Sequence, residues 1–147
     1  MSTFKHILFP TDFSEASEHA LSTAIELARA FEAKVTLLHV WNVPLMGYAE
    51  SLEWPVQELE EAARRALDES LARVSKLVPH TDGVLQSGPE WERILEAVKE
   101  RNADLVVMGT HGRRGLPRLV LGSVAEKVVR LSPVPVLTVR HTPPATP

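Results

Sequence analysis

Residues 108–123 read MGTHGRRGLPRLVLGS and hold the densest grouping of residues able to do chemistry in this chain. Four glycines, three arginines (Arg113, Arg114 and Arg118) and His111 follow directly on the apolar run ADLVV. The chemistry they suit is the binding of an anion. Gly122 and Ser123 precede an amphipathic stretch, SVAEKVVRL, whose first amides would have no partner inside a helix and would carry the positive end of its dipole. Phosphate is the natural occupant of such a place. A glycine there lets the anion come close, and the Ser123 hydroxyl can donate to it. Gly109 and Gly112 allow a sharp turn that presents backbone amides. The arginines can neutralise charge, and His111 can touch a phosphate or a sugar. The competing reading is a plain turn with a helix cap and solvated arginines, and position in the fold has to decide between the two.

Familiar phosphate machinery is missing. Gly122-Ser123 lacks the lysine and the spacing of a Walker A loop, and no Gly-x-Gly-x-x-Gly follows the first strand. The absence of cysteine excludes disulfides and thiolate metal sites. The six histidines form no His-x-His or His-Glu-x-x-His pair, so a transition-metal site built by protein ligands has little support. His19 and His39 read as structural. A magnesium ion carried by nucleotide phosphates stays open.

The chain that positions this loop has 147 residues, 44% of them apolar and 24% charged, enough for one domain with a sizeable core. Its formal charge is 16 − 19 = −3, which gives no general attraction to nucleic acid or to an anionic membrane. The opening MSTFKHILFPTDFSE has no signal-peptide core, and no apolar stretch is long enough to span a bilayer, so a cytoplasmic location is expected.

Hydrophobic periodicity divides the chain into alternating elements. Strands are expected over 5–9, 34–40, 83–87, 103–108 and 135–140. Helices are expected over 14–33, 56–77, 89–101 and 123–131, the first capped by Asp12 or Ser14. A long loop of proline, glycine and aromatics fills 41–55, and 142–147 reads as a disordered tail. Continuous apolar strands alternating with amphipathic helices predict an α/β single-domain, doubly wound five-stranded parallel sheet with helices on both faces. Ligands of such sheets bind beyond the carboxyl ends of the strands at the switch point, here between the first and fourth strands. Those ends are Pro10-Thr11-Asp12 and Gly109-Thr110-His111-Gly112. The glycine loop therefore falls where a ligand is expected.

Gly109-x-x-Gly112, nine residues and Gly122-Ser123 resemble the nucleotide-binding pattern of the universal stress protein family, ATP-binding branch. The likeness covers nearly the whole chain, residues 1–141, with KHILFPTDFSEASEHALSTAIELA similar to the family's opening and DLVVMGTHGRRGLPRLVLGSVAEKVVRLSPVPVLTVR to its closing segment. It implies a sheet of order 3-2-1-4-5, like that of the adenine nucleotide alpha hydrolases, and a bound ATP, ADP or AMP. By this resemblance Pro10, Thr11 and Asp12 border the adenosine, and Val40 lies against the adenine. Met108 and Gly109 pass the ribose, His111, Gly112 and Arg113 lead toward the phosphates, and Gly122, Ser123 and Val124 cradle them. Asp12 is then a cap or an adenosine contact rather than a catalytic carboxylate. The resemblance also implies a stress-response or signalling role, and a homodimer through the last strand, where Val134, Val136, Leu137 and Val139 lie at a sheet edge guarded only by prolines.

Other readings fit less well. A two-component receiver would need an aspartate where Gln86-Ser87-Gly88 stands and a lysine where Arg140-His141 stands. An adenylate-forming or sulfur-transfer enzyme would need a Ser-Gly-Gly-x-Asp-Ser loop where FPTDFS stands. A chaperone-like or scaffolding dimer without a working nucleotide site is the main alternative, with Trp41 and Trp54 either as contact residues or as fillers between helix and sheet; Trp91, inside a helix, reads as packing. No acid pair or activated nucleophile is evident, so fast ATP hydrolysis is not expected.

Overall fold

The computed structural model describes residues 4–43, 55–110 and 121–141. In chain order the elements are β1 (His6–Pro10), α1 (Glu15–Phe31), β2 (Lys34–Trp41), α2 (Val56–Ser75), β3 (Thr81–Ser87), α3 (Glu90–Glu100), β4 (Leu105–Gly109), α4 (Ser123–Leu131) and β5 (Val136–Val139). The five strands form one sheet, β3-β2-β1-β4-β5, with every neighbouring pair parallel. This is the expected doubly wound architecture, with the switch between β1 and β4.

Side-chain alternation along each strand builds two cores. Ile7, Phe9, Val35, Leu37, Leu105 and Val107 point to one face, where α1 and α2 cover them with Ala20, Ala24, Leu67 and Val74. Leu8, Leu38, Val106 and Met108 point to the other, under Ile94, Ala97 and Val98 of α3 and Ala125 and Val128 of α4. Strands buried on both sides must be apolar at successive positions, which is why β1 and β4 carry the runs Ile7–Phe9 and Leu105–Met108, and β2 is apolar apart from Thr36 and His39 between its ends. Leu8 and Phe9 are fully buried on opposite faces, and truncation of either to alanine would cost about 2–5 kcal/mol.

Every element end lies within two residues of the sequence expectation, and the larger differences have local causes. The first helix stops at Phe31, because Glu32 turns left-handed (φ 55°) and donates its amide to the Ala28 carbonyl. The third strand starts at Thr81 rather than 83, since Thr81 and Asp82 pair with Val35 and Thr36 despite their polarity. The fourth begins at Leu105 rather than 103: Asp104 folds back, its carboxylate accepting from the amides of Lys5 and His6. Most of the 41–55 loop, Trp54, and the tail 142–147 lie outside the described residues.

Among the described residues β5 pairs with β4 only and is an edge strand. Of the four residues expected to form an apolar edge, Val134 and Val136 pack against the α3/α4 core and Val139 against the α1/α2 core. Leu137 is the exposed one, at 39%.

Candidate functional site

At the carboxyl ends of β1, β2 and β4 lies a cleft of about 720 Å³, within the usual range for small-molecule sites. Its main walls come from five places in the chain, with Ser17 of α1 also lining it, and each is held by local chemistry.

The β1 wall is Pro10, Thr11 and Asp12. Thr11 extends the β1–β2 pairing by donating its amide to the Leu38 carbonyl at 2.8 Å. Its hydroxyl oxygen accepts from the Phe13 amide (3.0 Å) and the Ser17 hydroxyl (2.9 Å), which ties the strand end to the first turn of α1. Ser14 is the N-cap, its hydroxyl accepting from the Ser17 amide, while Asp12 accepts from the Ser14 amide at 2.9 Å. Between them Phe13 sits at φ 61°, an unfavourable conformation for an aromatic residue that the surrounding hydrogen bonds enforce.

From β2 come Leu38, His39 and Val40. His39 Nδ1 lies 2.8 Å from the Thr11 carbonyl, which can only accept, so Nδ1 carries the proton. The ring rests on Phe13 with centroids 4.5 Å apart. His39 is thus structural, as expected, and a cleft residue as well.

β4 contributes Met108 and Gly109, with Thr110 just beyond, and α4 contributes Gly122, Ser123, Val124 and Ala125. Gly122 is the N-cap of α4 and makes no side-chain cap bond. Its amide donates to the Thr110 carbonyl at 2.8 Å, and its carbonyl accepts the Glu126 amide at 2.9 Å. The amides of Ser123, Val124 and Ala125 therefore have no acceptor within the helix. They face a cleft at the positive end of the α4 dipole, an arrangement that favours an anion.

The remaining wall is the first turn of α3, through Glu90 and Ile94. Sequence reasoning missed both, because that helix was read only as a cover for the sheet. The signal that could have found them is that α3, like α4, starts at the carboxyl edge of the sheet.

Nine of the residues expected at a nucleotide site are brought together here: Pro10, Thr11 and Asp12; Val40; Met108 and Gly109; Gly122, Ser123 and Val124. His111, Gly112 and Arg113 lie outside the described residues, as do Arg114 and Arg118. Among the described residues no group of three histidines, cysteines or carboxylates could hold a metal ion, and no helix is long and apolar enough to cross a membrane.

Comparison with known proteins bears on what such a cleft is. The family model described as the universal stress protein family matches residues 3–140. The chain belongs to the universal stress protein family. Among its relatives, universal stress protein MJ0531 of Methanocaldococcus jannaschii is 37% identical over 144 residues, spanning 93% of this chain and 82% of that one. The solved structure of MJ0577, a universal stress protein of the same organism, superposes with a TM-score of 0.77 at 29% identity, over 96% of this chain and 99% of that one. A universal stress protein solved in complex with cAMP gives a TM-score of 0.70 at 25% identity, over 95% and 98%. The doubly wound sheet of this universal stress protein is therefore the α/β fold of its neighbours, one of which is solved in complex with cAMP.

Proposed function

We propose that this universal stress protein binds ATP or a related adenine nucleotide in the cleft, and that occupancy governs its conformation or its choice of partner in a stress response. The observation that carries the reading is the uncapped start of α4: the amides of Ser123, Val124 and Ala125 open into a cleft beside Gly109 and Thr110. The phosphates would lie there, with the Ser123 hydroxyl donating to them. The nucleoside would extend over Met108 and Gly109 toward Pro10, Thr11, Asp12 and Val40, where Leu38 and Ile94 add apolar surface. His111, Gly112 and Arg113 follow β4 closely in sequence and complete the proposed set on the phosphate side. A family relative in complex with cAMP supports an adenine nucleotide as the ligand class. Without a three-ligand metal cluster among the described residues, a magnesium ion would enter on the phosphates themselves. We further infer a homodimer through β5, whose outer edge pairs with no strand among the described residues and which carries the exposed Leu137, and a cytoplasmic location.

Titration calorimetry of the full chain with ATP, ADP and AMP, with and without magnesium, tests this. Saturable binding in the micromolar range is expected. No heat with any of the three would overturn the nucleotide assignment and leave a scaffolding dimer as the better reading.

A further inference from the structure

We propose that the Thr11 hydroxyl is a specificity-determining donor of the cleft: it gives its proton to a ring nitrogen of the base and selects bases that place an acceptor there. The inference rests on the nucleotide reading above.

A count of protons leads to it. Thr11 and Ser17 both line the cleft, and both are more than nine-tenths buried, at 8% and 6% exposure. Their hydroxyls hold two protons between them. The one hydrogen bond that joins them, at 2.9 Å, uses one of these. The Thr11 oxygen also meets the Phe13 amide at 3.0 Å, but that amide brings a proton of its own. Among the described residues neither hydroxyl has a further partner. One hydroxyl proton is therefore left over at the cleft wall. A buried donor without an acceptor is costly, so a ligand able to accept gains by meeting it.

The geometry decides which hydroxyl holds that proton. Ser17 donates to Thr11. With the Phe13 amide on its second lone pair, the Thr11 oxygen accepts all it can, and only donation remains to it. The residue is pinned from both sides. Its amide donates to the Leu38 carbonyl and its carbonyl accepts the His39 Nδ1 proton, each at 2.8 Å. Phe13, held at φ 61°, keeps its amide turned onto the Thr11 oxygen. This part of the wall is thus preset as a donor.

That polarity favours the base over the sugar. A ribose hydroxyl brings a proton that the filled Thr11 oxygen cannot take, whereas a purine ring nitrogen only accepts. Leu38 and Ile94, 0% and 1% exposed, line the same cleft and suit the flat face of a base.

The test is titration calorimetry of the full chain with ATP and with 1-deaza-, 3-deaza- and 7-deaza-ATP. Each analogue replaces one ring nitrogen by C–H, so together they cover every adenine ring nitrogen able to accept. The unaltered protein should bind one of them roughly fivefold more weakly than ATP, the usual scale for a neutral hydrogen bond. Thr11→Val and Thr11→Ala, either of which removes the hydroxyl, should bring that ratio to about one once circular dichroism shows a folded chain. Thr11→Ser and Ser17→Ala both leave a hydroxyl at position 11 and should keep the ratio, whatever they do to the affinity for ATP itself. The inference is overturned if the unaltered protein binds all three analogues as it binds ATP, if the ratio survives loss of the Thr11 hydroxyl, or if Thr11→Ser or Ser17→Ala erases it; the nucleotide reading survives all of these. Absence of binding by the unaltered protein would overturn both together.

Discussion

The Gly122 amide donates to the Thr110 carbonyl at 2.8 Å, and the Thr110 amide donates in turn to the Val139 carbonyl at 3.2 Å. One residue beyond β4 thus holds the start of α4 on one side and the end of β5 on the other. The amides that would meet a phosphate are fixed to the sheet before any ligand arrives. Such preorganisation spares a ligand the cost of ordering its own site.

The first prediction concerns Gly122. A branched side chain there would stand over the amides of Ser123 and Val124. Gly122→Val should weaken ATP binding roughly 100-fold or more, with the far-ultraviolet circular dichroism of the folded chain retained. Normal binding by this variant would move the phosphates away from α4.

A second prediction follows from the opposite end of the sheet. His6 Nε2 lies 2.6 Å from the Thr36 hydroxyl, which donates to Asp82 at 2.6 Å, and Asp82 pairs with Lys34 and Arg101 at 3.2 Å each. Burial, helped by the Lys34 charge, lowers the His6 pKa from its ordinary 6.5, against the opposing pull of the Arg101 carbonyl, Asp82 and Asp104. The unfolded chain then binds a proton near neutrality that the folded chain refuses. His6 contributes stability in full above its unfolded value of 6.5, and that stability is lost as pH falls through the depressed folded value. Urea midpoints should drop between pH 7 and pH 5, and His6→Asn should flatten that slope. An unchanged slope in the variant would assign it to other groups.

Asp82 governs a more acidic window. Burial pushes its carboxyl up, but hydrogen bonds from Thr36 and Lys34, with the charges of Lys34 and Arg101, outweigh this and leave it below its ordinary 3.8. Its contribution is present above that value and fades as pH falls further, so Asp82→Asn should flatten the acid limb of the unfolding profile and, by removing a charge that raises the His6 pKa, steepen the neutral limb.

The turn into α3 gives a fourth prediction. Gly88 has φ 122°, and a β-carbon there would lie 2.7 Å from Arg93 Nε. Gly88→Ala combines backbone strain with displacement of Arg93, and should lower stability by about 1–3 kcal/mol in denaturant titrations. A neutral result would mean that the turn relaxes into another conformation.

The proposed dimer depends on the β5 edge. Sedimentation at about tens of micromolar should show a dimer, in the range expected of a modest interface, and Leu137→Glu, which sets like charges about a two-fold axis, should yield monomer. A monomeric unaltered chain would remove β5 pairing from the account.

Much of this architecture was legible in the residues. KHILF, KVTLLHV and DLVVM are apolar at successive positions because both sheet faces are covered, so strand, helix and order of elements could be read directly. The β1 and β4 ends and Gly122-Ser123 could be placed at the switch point for the same reason. What could not be read depends on contacts far apart in sequence. Glu90 and Ile94 look like ordinary positions of an amphipathic helix, and nothing local shows that its first turn faces the cleft. His39 is one residue inside a strand, and its ring orientation depends on the Thr11 carbonyl 28 residues earlier and on Phe13. Thr110 reads as one more loop residue, because its two backbone partners, Gly122 and Val139, are distant in sequence. Thr81 and Asp82 read as turn residues by their polarity, and the Asp82 pairing depends on Thr36, Lys34 and Arg101, which are distant in sequence.

The most direct measurement is a titration of nitrogen-15-labelled protein with ATP followed by amide resonances. The account predicts that Ser123, Val124 and Ala125 show the largest shifts, with Gly109 and Val40 following, and that Gly122→Val abolishes them. Saturable binding with those three amides unmoved would contradict it.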